Sequence, residues 1–295
     1  MLKHLNDKPG YAARTVIIGA GGFVGKAIAD RLKADGANVV ALTRHEADLL
    51  APDGAARLAA QLRPGDAVVA AAARAPCKDL AMFAENVTMM GAMLTALSGV
   101  ALSHVVNISS DAVFADAPLP LTEDTPTAPG TYHGAMHLLR EVAFAMEIKA
   151  PLAILRPSLL YGAADPHNGY GPNRFRRLAN AGEDIALFGE GEERRDHVLI
   201  DDLAELASRV LRHRSQGTLN VATGAVHSFK SVAEQVVAAA PHKVAIAGRP
   251  RVGPMPHNGY RPFAIDACRA AFPDFVYTPL ADGIAKVQRE SVGAR

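Results

Sequence analysis

Short runs of β-branched and aliphatic residues alternate with longer amphipathic stretches over the first half of the chain. The strands that this pattern predicts are 15–18, 38–42, 67–72, 104–108 and 152–155. Helical periodicity between them is clearest over 23–35 and over 80–97. Strands that alternate with helical stretches in this way are typical of βαβ units, whose parallel sheet is covered on both faces. The pattern therefore predicts an α/β fold with a doubly wound parallel sheet.

The pattern changes after Pro157, where residues 162–173 are rich in glycine, proline and asparagine and are predicted to form a loop. Helical segments are predicted beyond it at 174–181, 200–212 and 231–239. Seven prolines between 241 and 279 argue against long regular elements near the C-terminus. We expect a first domain and a smaller, discontinuous C-terminal domain. The first comprises 12–162 with a returning segment at about 192–222, and the second comprises 163–191 and 223–295.

Composition narrows the class of protein. The 295 residues are 49% hydrophobic and carry a formal net charge of +1, with both signs interspersed, so neither a disordered chain nor a nucleic-acid partner is expected. Two cysteines are too few for a disulfide framework, and the eleven histidines lack metal-ligand spacing, so we assign no metal. Residues 1–14 lack the apolar core of a secretion signal, and the longest pure apolar run, 67–73, is far too short for a membrane span. We expect a cytoplasmic protein without a membrane partner.

A glycine-rich turn follows the first predicted strand. Gly19, Gly22 and Gly25 flank the start of the next helix, which opens with Phe23 and Val24. Glycines here permit a tight turn and let backbone N–H groups at the helix N-terminus approach a pyrophosphate. The motif predicts a Rossmann-like dinucleotide site, although glycines could merely let strand and helix pack closely.

The end of the second predicted strand indicates which dinucleotide binds. A carboxylate at this position would bind the adenosine 2′-hydroxyl of NAD, whereas this chain has Thr43 and Arg44. An arginine can pair with a 2′-phosphate, so we expect NADP as cofactor, with NAD possible. The alternative is that Arg44 is a solvated loop residue. Asp48 and Leu49, slightly further along, are placed near the adenine.

Hydroxyl groups follow the fourth predicted strand. Ser109 and Ser110 come directly after this strand, and Tyr132 comes 22 residues after Ser110. Ligands of open α/β sheets bind beyond the carboxyl ends of the strands, so both Ser110 and Tyr132 could reach one substrate carbonyl. A serine can hold the oxygen by a hydrogen bond while a tyrosine transfers the proton.

These motifs, taken in order, resemble the extended short-chain dehydrogenase/reductase family. The resemblance rests on Gly19-x-x-Gly22-x-x-Gly25, Ala71-Ala72-Ala73, Ser109-Ser110-Asp111, Tyr132, Glu141, Arg156-Pro157, Tyr161-Gly162, 188–202 and 219–224. The family includes NAD(P)-dependent sugar-nucleotide epimerases, dehydratases and 4-keto reductases, among them the dTDP-4-dehydrorhamnose reductase type. It implies an oxidoreductase or epimerase that acts on a sugar nucleotide or a related keto-sugar by hydride transfer.

The resemblance also implies roles for single residues. Ser110 would hold the substrate carbonyl, and Tyr132 would be the general acid/base. Cofactor contacts are implied for Ala71, Ala72, Ala73, Tyr132 and Pro157, and substrate contacts for Asp111, Asn173 and Arg195. Structural alternatives remain for two of them: Asn173 could cap the helix that starts at Arg174, and Arg195 could pair with Glu192, Glu193 or Asp196.

Two departures from the family pattern bear on function. The pattern is Tyr-x-x-x-Lys, but Met136 stands four residues after Tyr132, and His133 and His137 point away from the face of position 136. Either Tyr132 works poorly, or another cation is supplied, or the protein binds nucleotide without fast redox chemistry. The acidic pair of the dehydratases is also incomplete, since Ala112 follows Asp111. We expect a reductase or an epimerase, with an impaired, nucleotide-binding regulatory protein as the alternative.

The sequence leaves the oligomeric state open. The helical stretches 80–97 and 136–148 could pair with those of a second copy in a four-helix interface, which would make a homodimer.

Overall fold

The computed structural model describes residues 2–293, without the side chains of the last two of these. Five strands alternate with helices over the first half of the chain. They are β1 (Thr15–Ile18), α1 (Phe23–Ala34), β2 (Val39–Leu42), α2 (Gly54–Gln61), β3 (Ala67–Ala70), α3 (Leu80–Ser98), β4 (His104–Ile108), α4 (Tyr132–Glu147) and β5 (Leu152–Pro157). All five predicted strands and both predicted helices lie within a few residues of their expected positions.

The second half adds shorter elements. They are β6 (Leu159–Tyr161), α5 (Pro172–Ala181), β7 (Ile185–Phe188), β8 (Arg194–Leu199), α6 (Ile200–Arg212), β9 (Gly217–Val221), β10 (Val226–Ser228), α7 (Phe229–Ala239), β11 (Ile246–Arg249), β12 (Tyr260–Arg261), α8 (Asp266–Ala271) and α9 (Leu280–Gly293). The expectation that proline excludes long elements here is wrong for α9. Pro279 immediately precedes this helix, where a proline costs no intrahelical hydrogen bond.

Six strands form a fully parallel sheet in the order β2-β1-β3-β4-β5-β9. Helices α1, α6 and α8 pack on one face around Ile28, Leu203 and Cys268. Helices α2, α3 and α4 pack on the other face around Met93 and Phe144. This confirms the predicted doubly wound α/β architecture, and the order of strands reverses between β1 and β3, where ligands of such sheets bind.

A separate apolar cluster joins α5, α7 and α9 with β7 and β11. Strand β8 links the two regions, because it pairs with β6, β10 and β12 and leads directly into α6 on the main sheet. The domain boundaries expected from the sequence stay a prediction.

Helix α3 is long and apolar enough to cross a membrane by length and composition alone. In the fold its buried residues, such as Met89 and Leu97, pack against the sheet, while Ala84, Thr88 and Gly91 lie on an exposed face.

Candidate active site

A cavity of about 430 Å³ lies over the carboxyl ends of β1, β2 and β3. Its lining contains eight of the residues that the sequence assigns to the cofactor: Gly19, Gly22, Arg44, Asp48, Leu49, Ala71, Ala72 and Ala73. The cavity therefore lies at the switch point of the sheet, where a dinucleotide would be bound.

Close backbone packing accounts for the glycines beside this cavity. Gly19 has a φ of +90°, and a Cβ there would lie 2.7 Å from the Ala72 backbone. A Cβ on Gly25 would lie 2.2 Å from the Gly19 carbonyl oxygen, so α1 can approach the turn only without a side chain at this position. Gly22 has more space, since its Cβ would meet that oxygen at 3.4 Å. Gly22 is the position that leaves the helix N-terminus open to a phosphate.

The polar wall of the cavity is formed after β2. Arg44 is exposed and makes no hydrogen bond or ion pair with any other described residue. A carboxylate lies four residues after β2: Glu46 accepts hydrogen bonds of 2.7 Å from both the backbone N–H and the hydroxyl of Thr43. These bonds lower the pKa of Glu46 to about 2. Glu46 does not line the cavity, so Arg44 is the charged group beside Asp48 that faces it.

Phe23 and Val24 lie outside this cavity lining. Both are half-buried against the core on the α1 side of the sheet. Phe23 lines a second cavity of about 610 Å³ between α1, α6 and α9, where it lies beside Gly162. The cofactor role of these two residues stays a prediction.

The first of the two serines after β4 is fixed in the core. Ser109 donates a 2.5 Å hydrogen bond to Glu141 of α4, and Glu141 also accepts two bonds, of 2.9 and 2.7 Å, from the Arg156 guanidinium. All three side chains are buried, so this network joins β4, α4 and β5. Pro157 follows Arg156 at the buried end of β5.

Ser110 is held less tightly. Its hydroxyl accepts a bond from the Ala112 N–H at 3.2 Å and makes only a long bond, 3.4 Å, to Asp111. Arg261, on β12, donates to the Asp111 carboxylate at 3.0 Å and to its carbonyl at 2.7 Å. Arg261 is a residue that the sequence analysis missed, since nothing in a proline-rich segment marks it as a partner of a motif 150 positions away.

The first turn of α4 packs directly on the Ser110 turn. A Cβ on Gly134 would lie 2.0 Å from the Ala112 carbonyl oxygen, so glycine is required for this contact. Tyr132 is 46% exposed, and its ring lies 6.1 Å from that of Phe83 on α3. Met136 is buried, with 3% exposure.

One turn beyond Met136, the buried Arg140 reaches the carboxyl edge of the sheet. Its guanidinium donates to the carbonyl oxygens of Ala70 at 2.6 Å, Ala72 at 2.8 Å and Ile108 at 2.8 Å, and to the Asn107 side chain at 2.6 Å. Burial lowers the pKa of Arg140 to about 10, so the group is a cation at neutral pH. Arg140 thus places a fixed positive charge beneath the wall of the cofactor cavity, and the sequence analysis did not single it out.

Two further residues of α4 face the same edge. The imidazole rings of His133 and His137 lie 4.7 Å apart, edge to face. His133 Nδ1 accepts a hydrogen bond from the Cys77 N–H at 3.4 Å, and His137 Nδ1 is buried without a partner among residues 2–293. Burial lowers the pKa of both histidines.

The structure places the remaining substrate candidates in β8 and α5. Asn173 is the second residue of α5 and not its cap: it accepts a bond from the Gly162 N–H at 3.1 Å and donates to the Leu160 carbonyl at 3.3 Å. Arg195 is buried and pairs with Glu193 at 2.5 Å, which agrees with one of its structural alternatives. Among residues 2–293, no group of three or more His, Cys, Asp or Glu side chains is arranged to hold a metal ion.

A family model described as the NAD dependent epimerase/dehydratase family matches residues 15–222 of the chain. The chain belongs to this family. The match confirms the resemblance to extended short-chain dehydrogenases/reductases, and with it the enzyme class and a nicotinamide dinucleotide as cofactor.

Three relatives illustrate the range of this family. The chain is 27% identical to a dTDP-4-dehydro-6-deoxy-D-allose reductase of Streptomyces bikiniensis, over 95% of this chain and 96% of the relative. It is 30% identical to a UDP-glucose 4-epimerase of Mycolicibacterium smegmatis, over 74% of this chain and 80% of the relative. The crystal structure of the Thermus thermophilus UDP-glucose 4-epimerase with NAD superimposes with a TM-score of 0.83, 23% identity, and coverage of 96% of this chain and 100% of that one. This superposition confirms the Rossmann-type fold.

Proposed function

We propose that this family member is an NADP-preferring reductase or epimerase of a keto-sugar nucleotide. The observation that carries the proposal is the cavity at the switch point, whose glycine turn and Arg44 fit a dinucleotide phosphate. Ser110 lies two residues after the end of the neighbouring strand β4. The reductase and epimerase relatives, which act on dTDP- and UDP-linked sugars, support the choice of substrate class.

The residues of the cavity fit the cofactor in two ways. The turn at Gly19 and Gly22 leaves room for a pyrophosphate at the start of α1, and Arg44, which pairs with none of the described residues, carries a charge that suits a 2′-phosphate. When bound, the nicotinamide ring supplies or accepts a hydride.

The chain's own residues would hold the sugar at the adjoining edge of the sheet. Ser110 would donate a hydrogen bond to the reacting oxygen, because its hydroxyl has only a weak internal acceptor. Asp111, Asn173 and Arg195 are proposed to contact the substrate beyond it. That Tyr132 transfers the proton stays a prediction, and His133, the next residue of α4, is a second candidate.

Calorimetric titration with NADPH and NADH tests the cofactor preference. The wild type should bind NADPH more tightly, and Arg44→Asp should reverse the order, because the carboxylate would repel a 2′-phosphate and accept a bond from a 2′-hydroxyl. Arg63→Asp is the matched charge control, since Arg63 is an exposed residue outside the cavity. A wild-type preference for NADH would refute the assignment.

Turnover separates the enzyme from a regulatory binding protein. NADPH oxidation should be detected with at least one member of a panel of dTDP- and UDP-linked 4-keto sugars. Tight NADPH binding without turnover of any member would favour the regulatory alternative.

A homodimer is also proposed. Leu139, Val142 and Met146 form an exposed apolar stripe on α4, beside the exposed small residues of α3. Such a face suits helix packing between two copies. Light scattering should report twice the mass of 31.0 kDa, and Val142→Arg should return the monomer. A monomeric wild type would refute the pairing.

The cytoplasmic location and the lack of a membrane partner stay predictions.

A further inference from the structure

The first turn of α4 presents two different side chains to two different surroundings. Tyr132 and His133 are consecutive, so their side chains point about 100° apart around the helix. Tyr132 lies half-exposed beside Phe83 of α3. The two side chains therefore face different surroundings, and the question is which of them faces the edge of the sheet at which Ser110 lies.

The contacts of Arg140 show which face of α4 points to the carboxyl edge of the sheet. Seven residues span almost two helical turns, so His133 and Arg140 lie within about 20° of each other around α4, and about 10 Å apart along it. Because Arg140 donates to carbonyls at the ends of β3 and β4, the same face points at the carboxyl edge of the sheet. His133 therefore lies beyond that edge, on the side where ligands of such sheets bind.

Contacts on both sides of His133 agree with this placement. The loop after β3 reaches it through the Cys77 N–H. The turn after β4 touches the next residue, since Gly134 packs on the Ala112 carbonyl. The His133 imidazole thus lies between the loops that follow β3 and β4, and Asp111, the neighbour of Ser110, acts on its charge.

The Cys77 contact also selects a tautomer. Because Nδ1 accepts the Cys77 N–H, the neutral ring carries its proton on Nε2. An Nε2–H group is a hydrogen-bond donor, and a neutral imidazole can polarise a carbonyl in this way.

We propose that His133, and not Tyr132, donates the second hydrogen bond to the reacting oxygen of the substrate, from Nε2 and together with Ser110. His137 acts as a positioning residue, because its ring packs edge to face against His133 at 4.7 Å. This inference rests on the proposed function, since it assumes a substrate carbonyl beside Ser110.

Burial, more than the neighbouring charges, favours the neutral form of the ring. Burial and His167 lower the pKa of His133, and Asp111 raises it. The other titratable groups around it are the Cys77 thiol on the loop after β3, His137, which is itself neutral because burial lowers its pKa, and Arg140 further along the helix. The balance therefore favours the neutral donor.

Four variants in the full-length protein test the assignment: His133→Phe, His133→Gln, Tyr132→Phe and the control His45→Gln, whose side chain is 93% exposed. His133→Phe should lower kcat about 100- to 1,000-fold, the usual cost of one donor to a developing oxyanion. His133→Gln should recover at least part of this loss, because the glutamine amide can replace the Nε2–H donor. The loss in Tyr132→Phe should be at least tenfold smaller than that in His133→Phe.

Two readouts do not depend on turnover. Calorimetry with NADPH should give similar Kd values for all variants, which shows that the cofactor site is intact. Spectra of ¹⁵N-histidine should assign to His133 the neutral Nε2–H tautomer from pH 6 to 8, by comparison with His133→Gln.

The outcomes are distinct. A larger loss in Tyr132→Phe than in His133→Phe would overturn the proposal, as would a His133→Gln variant that is as inactive as His133→Phe. An Nδ1–H tautomer or a charged ring would overturn it even in the absence of turnover. A wild type that shows the expected tautomer but reduces none of the keto-sugar nucleotides would instead count against the proposed function.

Discussion

Arg140 offers the sharpest test of how the core supports the cofactor cavity. The residue is 3% exposed, and its guanidinium donates to four acceptors, three of them backbone carbonyls at or just beyond the ends of β3 and β4. Arg140→Met keeps the length and apolar stem of the side chain but removes every donor. All four acceptors then lose a partner inside the protein.

The size of the effect follows from these contacts. Each buried acceptor left without a partner costs about 1–3 kcal/mol, and water that enters the space would recover part of this. We expect Arg140→Met to lower the free energy of unfolding by about 3–5 kcal/mol, which is a large share of the 5–15 kcal/mol typical of a native protein. NADPH affinity should fall as well, because the Ala72 carbonyl belongs to a residue of the cavity wall.

Urea unfolding and NADPH calorimetry measure both effects. Arg140→Lys should be less harmful, since it keeps the charge and some of the bonds. Arg31→Met is the surface control: with 38% of its side chain exposed, Arg31 pairs with Asp35 at 2.9 Å and also with Glu205, and the loss of these partly solvated pairs should cost about 1 kcal/mol. An Arg140→Met variant as stable as the Arg31 control would refute the argument.

Three further predictions concern packing and charge. Gly25→Ala should lower the free energy of unfolding by about 1–3 kcal/mol and weaken NADPH binding, because the new Cβ would overlap the Gly19 carbonyl. Gly22→Ala should fold normally, since its Cβ would not overlap that carbonyl. Equal urea midpoints for the two variants would contradict this. The free energy of unfolding should fall by at least about 3–4 kcal/mol from pH 7 to pH 5, because His104 and His197 alone contribute that much and the lowered pKa values of His133 and His137 act in the same direction. Burial lowers the pKa of His104 to about 4 and that of His197 to about 3, so both must gain a proton on unfolding below their ordinary value of 6.5; a flat profile would refute it. Met136→Lys should not raise kcat. Its free energy of unfolding should fall by up to about 5 kcal/mol, which is the cost of neutralising a lysine at pH 7 in the buried position of Met136. Faster turnover of this variant would instead support the hypothesis that the wild type lacks a cation beside Tyr132.

The sequence predicts the large sheet well because its signals are local. Each of the first five strands is a short apolar run, and the glycine turn lies between a strand and a helix, so position along the chain is enough to locate the cofactor cavity. The C-terminal part depends on distant contacts. Strand β12 is only two residues long and exists because Tyr260 and Arg261 pair with β8, which no local pattern indicates.

The same limit applies to single side chains. Arg195 has several acidic neighbours in the sequence, and only the fold shows that Glu193 is its partner. Glu46 follows β2 by four positions, and only the fold shows that its carboxylate binds Thr43 and does not line the cavity. In both cases the residue types were visible in the sequence, but the direction of the side chain was not.

The choice between Tyr132 and His133 depends on a single position in the sequence. The chain between Ser110 and α4 contains a long irregular segment, so the spacing cannot distinguish a donor 22 residues after Ser110 from one 23 residues after it. The face of α4 is set instead by its two closest contacts, Gly134 on the Ala112 carbonyl and Arg140 on the ends of β3 and β4. Since a shift of one residue rotates a side chain by about 100°, these contacts direct His133 to the ligand edge and Tyr132 toward α3. Spacing along the chain alone therefore does not decide which of these two neighbouring residues is the donor.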